Sequence, residues 1–268
     1  MRRISRGSLD AVIEPVKFPL AKLVGRALGA VSTDVSGTVG RASCLVLAPH
    51  PDDETLGCAV SIMRRVEAGS PVHVAVATDG GQWPPGRDPG TNEVTRRAEL
   101  AEACVVLGLP PSAIVHFGFA DSGLALVEED LTDAILDLVR RLRPDEVLST
   151  DVHDPASDHA VLGMAARRAL SGTGVRLLAY PIHQWRRPGA LLRTARGSGR
   201  PQTVRTRPFL DRKRQALTAF RSQLATTDPE EAEHVDTGLT PSFLANFTGA
   251  RELFFPVPQQ AGGQRESR

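Results

Sequence analysis

At 268 residues the chain is long enough for one large α/β domain with a full core and short for two domains with separate cores. Its composition, 41% hydrophobic and 24% charged, is that of an ordinary soluble protein, and a formal net charge of +1 supplies no overall field to draw in nucleic acid. The three cysteines, Cys44, Cys58 and Cys104, sit in apolar stretches at spacings that make neither a zinc knuckle nor a disulfide framework, which fits a reducing cytoplasm.

Residues 1–40 mix basic side chains (Arg2, Arg3, Arg6, Lys17, Lys22, Arg26) with apolar ones (Val12, Val16, Phe18, Leu20, Leu23, Val24, Leu28). Lys22 and Arg26 interrupt what would be the apolar part of a signal peptide, and no run approaches the ~18 residues needed to span a bilayer. This extension reads as an amphipathic helix or arm lying on the domain. The other reading is a segment making peripheral contact with a membrane surface.

From Ala42 the chain alternates short apolar runs with longer helical ones, the pattern of βα units around a parallel sheet. Strands are predicted at Cys44–Ala48, Val72–Thr78, Ala113–Phe117, Glu146–Ser149 and Val175–Tyr180, most of them apolar throughout as strands covered on both faces must be. Helices are predicted at Glu54–Ala68, Glu93–Leu107, Glu128–Leu142 and Asp158–Leu170, closed by Gly69, Gly108, Pro144 and Gly172. Asp79–Asn92 is rich in Gly and Pro, contains Trp83 and reads as a long loop suited to a substrate lid. Arg186–Arg207 is basic and Gly/Pro-rich, a helix is predicted at Phe209–Leu224, and residues 259–268 read as a disordered tail. The expected architecture is one Rossmann-like α/β domain over 41–258, with a mostly parallel sheet and helices on both faces.

In such sheets ligands bind beyond the carboxyl ends of the strands. The first strand ends in Ala48-Pro49-His50-Pro51-Asp52-Asp53-Glu54, where a nucleotide-binding fold would place bare glycines. An imidazole and three carboxylates repel phosphate and suit a cation. His50 and Asp53, three apart across a turn entering a helix, can aim at one point, and zinc accepts nitrogen and carboxylate oxygen in catalytic sites with three protein ligands. His159, in Asp151-Val152-His153-Asp154-Pro155-Ala156-Ser157-Asp158-His159, follows another β run and is the best third ligand, with Asp154 and Asp158 beside it as supporting groups.

These motifs resemble the PIG-L/LmbE-like zinc-dependent N-deacetylases, whose hallmark is Ala-His-Pro-Asp-Asp-Glu after the first strand and a later Asp-His. Thr78-Asp79-Gly80, Arg96 with Glu99, Gly118 with Asp121 and Gly123, Tyr180-Pro181 with Trp185, and Lys213 with Ser222-Gln223 follow in the order of that family, so the resemblance spans roughly Ala42 to Pro256. It implies one zinc per chain on His50, Asp53 and His159, with Asp52 as general base. It further implies a small-molecule or glycoconjugate substrate carrying an N-acyl group, contacted by Arg96 and Asp121. Trp83 and Trp185 could stack on a sugar ring or pack. The family commonly has a histidine three residues before the ligand histidine; here Ala156 stands there, and His153 is the candidate to replace it as a catalytic group. Without such a replacement the reading becomes a zinc-containing but catalytically weak protein that binds a glycan or stabilises a partner. His73 reads as an ordinary sheet histidine; His116, ending a strand near the site edge, and His183, beside Trp185, read first as packing residues with substrate contact as the alternative, and Cys58 reads as a buried structural thiol.

Overall fold

The computed structural model describes residues 20–224 and 238–258. The predicted tail and the first part of the amino-terminal extension lie outside the described residues. Among the described residues the strands are β1 (Thr33–Asp34), β2 (Cys44–Ala48), β3 (Val72–Thr78), β4 (Ile114–Phe119), β5 (Glu146–Ser149), β6 (Arg176–Ala179), β7 (Gln202–Arg205) and β8 (Arg251–Pro256). The helices are α1 (20–31), α2 (Asp53–Glu67), α3 (Pro89–Leu107), α4 (Glu128–Leu142), α5 (Ser157–Leu170), α6 (Pro188–Arg196), α7 (Leu210–Leu217) and the short α8 (Pro241–Leu244).

All strands join one sheet in the order β1-β7-β8-β6-β5-β2-β3-β4. Every pairing is parallel except the two made by β8, which runs antiparallel to β6 and β7. β2 is buried over its whole length because it pairs with β3 on one side and β5 on the other, and helices cover both faces. From β2 the chain steps outward to β3 and β4 and then returns to β5 on the opposite flank of β2. That reversal opens a crevice beyond the carboxyl ends of β2 and β5, the place where a parallel sheet receives a ligand.

Local chemistry sets the helices. α4 buries Leu131, Ile135, Leu138 and Val139 at helical spacing and stops where Arg143 takes a left-handed φ of 48° just before Pro144. α3 starts four residues earlier than predicted, since Asp88 accepts the N–H of Thr91 and Pro89 fills the first helical position. The predicted loop is therefore shorter, ending at Asp88.

Three further features depart from the sequence reading. The basic stretch Arg186–Arg207 contains both α6 and β7, and β8 was not anticipated. The helix predicted to reach Leu224 stops at Leu217, after which Glu99 accepts the backbone N–H and hydroxyl of Ser222 at 2.8 and 2.7 Å. β1 pairs with β7, so residues 33–34 of the amino-terminal extension are part of the sheet.

Glu252 of β8 is buried, and its carboxylate accepts the N–H groups of Val60 and Ser61 in α2 at 2.8 and 2.9 Å. Lys213 of α7, also fully buried, donates to the Leu56 carbonyl at 2.7 Å and to Glu252 at 2.8 Å. This ion pair anchors β8 and α7 to the helix that begins with the Asp-Asp-Glu motif. Opposite it, Gly57 lies so close to the Tyr180 ring that a Cβ would fall 2.3 Å from it, and the Tyr180 hydroxyl donates to Leu47 of β2.

Candidate metal centre and its cavity

His50 leaves the end of β2, Asp52 and Asp53 open α2, and His159 lies in the first turn of α5, beyond β5. The crevice thus brings together both halves of the predicted site. Asp53 Oδ2 is 3.5 Å from His50 Nδ1 and 3.5 Å from His159 Nε2. A tetrahedral zinc ion with bonds of about 2.1 Å spaces its ligand atoms about 3.4 Å apart, which matches both distances from Asp53. All three donor atoms lie within 4.8 Å of one another.

His50 Nε2 is 3.1 Å from Asp121 Oδ1 and 3.4 Å from Asp158 Oδ2, giving a second cluster of possible ligands. A hydrogen-bonding role explains this cluster better. A metal on Nδ1 leaves the ring proton on Nε2, where the two carboxylates accept it and fix the ring. Both carboxylates are themselves held: Asp121 accepts Gln82 N–H at 3.0 Å and Asp158 accepts Ser122 N–H at 2.7 Å. Asp158 therefore supports His50 rather than its sequence neighbour His159, whose Nδ1 faces Asp154 Oδ2 at 3.8 Å.

Asp52 sits at the entrance to α2 with φ at 120°, a costly backbone for any residue with a Cβ. Arg96 of α3 holds the turn, donating to Pro51 O at 2.6 Å, Gly80 O at 3.3 Å and Asp52 Oδ2 at 3.3 Å. Gly80 has φ 69° and leaves room for the guanidinium, which an added Cβ would meet at 2.1 Å.

The electrostatics separate the neighbouring acids. Burial and then the charge of Asp53 push the Asp52 carboxyl well above the usual range, with Arg96 opposing. Burial acts the same way on Asp53, but His159 and His50 overcome it and hold the group at about 2. Burial raises Glu54 to about 7 and Asp154 to about 6. His50 is raised well above 6.5, since its bonds to Asp121, Asp158 and Asp53 outweigh its burial. Asp121 is held at about 2, its bond to His50 overcoming desolvation. Asp53 is thus anionic as a ligand should be, and Asp52 is poised closer to neutrality.

A cavity of about 440 Å³ opens over these groups. Trp83, Arg96, Asp121 and Asp158 line it, as does Ala156. Two residues considered at the sequence level lie elsewhere. His153 is outside the cavity lining, its backbone N–H bonded to Asp151 and its ring beside Gly197. Trp185 lines a different cavity, against Gly25 of α1.

His183 occupies the cavity instead. Its ring stands edge-on to His159 with centroids 4.6 Å apart and stacks on Phe243, while its backbone N–H donates to Asp154 at 3.1 Å. Among the described residues its ring nitrogens make no hydrogen bond. Burial and the neighbouring His159 lower its basicity strongly, so it is a neutral imidazole. The signal for it was positional: it follows β6, the parallel neighbour of β5, and so emerges at the same sheet edge. Gln223, Leu239 and Phe243, also cavity-lining, carry no motif that would have marked them.

The mostly parallel sheet with its covering helices is structurally similar to that of the LmbE-like deacetylases. Residues 45–170 match the family model of PIG-L, GlcNAc-PI de-N-acetylase. A probable N-acetyl-alpha-D-glucosaminyl L-malate deacetylase 2 of Bacillus cereus is 30% identical over 137 residues, which are 47% of this chain and 60% of that relative's length. Among solved structures, N,N'-diacetylchitobiose deacetylase from Pyrococcus horikoshii shares the fold at a TM-score of 0.63, with 21% identity and 91% and 93% of the two chains covered. The conserved protein TT1542 from Thermus thermophilus is similar at a TM-score of 0.56, with 27% identity and 85% and 99% covered.

Proposed function

We propose that the protein is a zinc-dependent hydrolase that removes an N-acyl group, acetyl foremost, from an amino sugar or glycoconjugate. The observation that carries this reading is Asp53 Oδ2 standing 3.5 Å from a nitrogen of each histidine, with the unligated Asp52 adjacent. His50, Asp53 and His159 would hold one zinc ion per chain. When bound, zinc supplies Lewis-acid polarisation of the acyl carbonyl and makes water acidic near neutral pH.

Asp52 takes a proton from the attacking water as its oxygen bonds to the acyl carbon, and returns that proton to the nitrogen as the C–N bond breaks. The products are a free carboxylate and an amine. Arg96 fixes the turn that aims Asp52, and Asp121 and Asp158 hold the His50 ring. Trp83, at the cavity wall, offers a face for a sugar ring.

The weak-turnover reading drew on Ala156, and His183 supplies an answer to it. The neutral ring is the uncommitted imidazole donor in the cavity, able to hydrogen-bond the carbonyl oxygen as it gains negative charge. A location in the cytoplasm remains part of the proposal. No helix among the described residues is long and apolar enough to cross a membrane.

The test is zinc content per chain for wild type, His50→Ala and His159→Ala, measured beside acetate release from N-acetylglucosamine derivatives. One zinc in wild type, lost in both variants, together with acetate release is the expected result. Wild type without zinc overturns the metal assignment, and zinc without release of any acyl product overturns the hydrolase.

A further inference from the structure

Behind the candidate active site lies a second cavity, of about 580 Å³, lined by α1 and the start of β8. The two cavities are separated by the single turn His183–Arg186 and by the region of α8. His183 faces the first and Trp185 the second, while Phe243 lines the first and Asn246 the second. Lys22 and Arg26, one helical turn apart on α1, and Arg251 at the start of β8 all line the second cavity, and none of its lining residues is acidic.

The three cations are solvent-exposed, and among the described residues none has a carboxylate bonded to it. Among the described residues Lys22 and Arg26 make no ion pair, and Arg251 donates only to neutral oxygens, Gly29 O at 3.4 Å and Thr203 Oγ1 at 3.3 Å. Asp34, whose charge reaches Arg251, is bound by Arg205 at 2.8 Å. At the same cavity Asn246 carries a buried Oδ1 with no partner, its amide nitrogen being used on Phe243 O at 3.0 Å. A buried acceptor without a donor is unfavourable, so it favours a ligand hydroxyl brought against it. Trp185 adds an apolar face, held by the missing side chain of Gly25, whose Cβ would meet the indole at 2.6 Å.

Three cations, one orphan acceptor and one aromatic face suit a single ligand chemistry. We propose that this cavity binds a phosphorylated polyol or sugar, its phosphate on Lys22, Arg26 and Arg251, a hydroxyl on Asn246 and its carbon face on Trp185. The same chemistry is met in a free metabolite and in a lipid headgroup. The inference stands independently of the deacetylase reading.

The chain has two tryptophans, so Trp83→Phe leaves Trp185 as the only indole and a direct reporter. In that full-length background, Trp185 emission is titrated with glycerol 3-phosphate, glucose 6-phosphate, glucose, and vesicles of phosphatidylglycerol. Two changes probe the site separately: Arg26→Gln with Arg251→Gln removes charge, and Gly29→Leu fills the cavity, because a Cβ on Gly29 meets nothing within 4 Å. A saturable response to at least one phosphate ligand, absent with glucose and weakened about tenfold or more by both changes, is expected, an affinity loss of about 1.4 kcal/mol. Response to the soluble phosphates points to a metabolite, and response confined to vesicles to a headgroup. No saturable response to any phosphate probe, or a response that survives both changes, overturns the proposal.

Discussion

Replacing Asp52 by Asn separates catalysis from folding in a way the local structure makes quantitative. Asn is the apt choice because the backbone at this position has φ 120°, and Asn shares with Asp the best tolerance of positive φ among residues with a side chain. On the stability side two effects oppose. Neutralising residue 52 weakens the 3.3 Å charge-assisted bond from Arg96, a kind worth about 1.5–3 kcal/mol. It also removes the repulsion that burial and the neighbouring Asp53 and Glu54 impose on this carboxyl, an effect of the opposite sign. Arg96 keeps its bonds to Pro51 O and Gly80 O, so the turn stays anchored and the loss of stability is at most that one bond's ~1.5–3 kcal/mol. Turnover, in contrast, falls by about 10²–10⁴, the usual contribution of a positioned base, equal to about 2.7–5.4 kcal/mol in the barrier. The assay pairs acetate release with thermal unfolding and zinc analysis on the same preparations. Turnover within about threefold of wild type, or loss of zinc, would refute the assignment of Asp52 as the base.

Four other outcomes follow from the geometry. Asp121→Asn removes the 3.1 Å partner of His50 and is expected to weaken zinc binding about 10–100-fold, measured by competition with a chromogenic chelator. His183→Ala is expected to cut kcat by about 10²-fold with zinc retained, and Ala156→His to restore part of it in that background; unchanged kcat in His183→Ala would remove His183 from the reaction. Lys213→Met leaves Glu252 as an uncompensated buried charge and is expected to destabilise the fold by about 3–5 kcal/mol in urea unfolding. Asp79 is desolvated, yet bonds from His116 and Arg97 hold it below the ordinary 3.8. Its stabilisation is therefore fully present above about pH 4 and lost as pH falls through the lower folded value, so Asp79→Asn should flatten the acid side of the stability profile.

What the sequence determined by itself is the half of the fold whose signals are local. Three of the five predicted strands, Cys44–Ala48, Val72–Thr78 and Glu146–Ser149, have the predicted bounds, because strands buried on both faces must be apolar throughout and show it. The motif around His50 and the Asp-His at 158–159 were legible for a related reason: in a parallel sheet every strand delivers its following loop to one edge. The tertiary structure alone decided the rest. β8 escaped notice because its buried Glu252 reads as a surface residue until Lys213 of α7 is brought against it. Asp158 adjoins His159 in the chain but serves His50, since direction on a helix and the approach of the β4–α4 segment, not sequence adjacency, choose its partner. His153 and His183 were indistinguishable by residue type, and only the packing of the turn after β6 against His159 and Phe243 placed His183, not His153, in the cavity. Those are contacts between segments far apart in the chain, and pairing of that kind has no signature in local composition or periodicity.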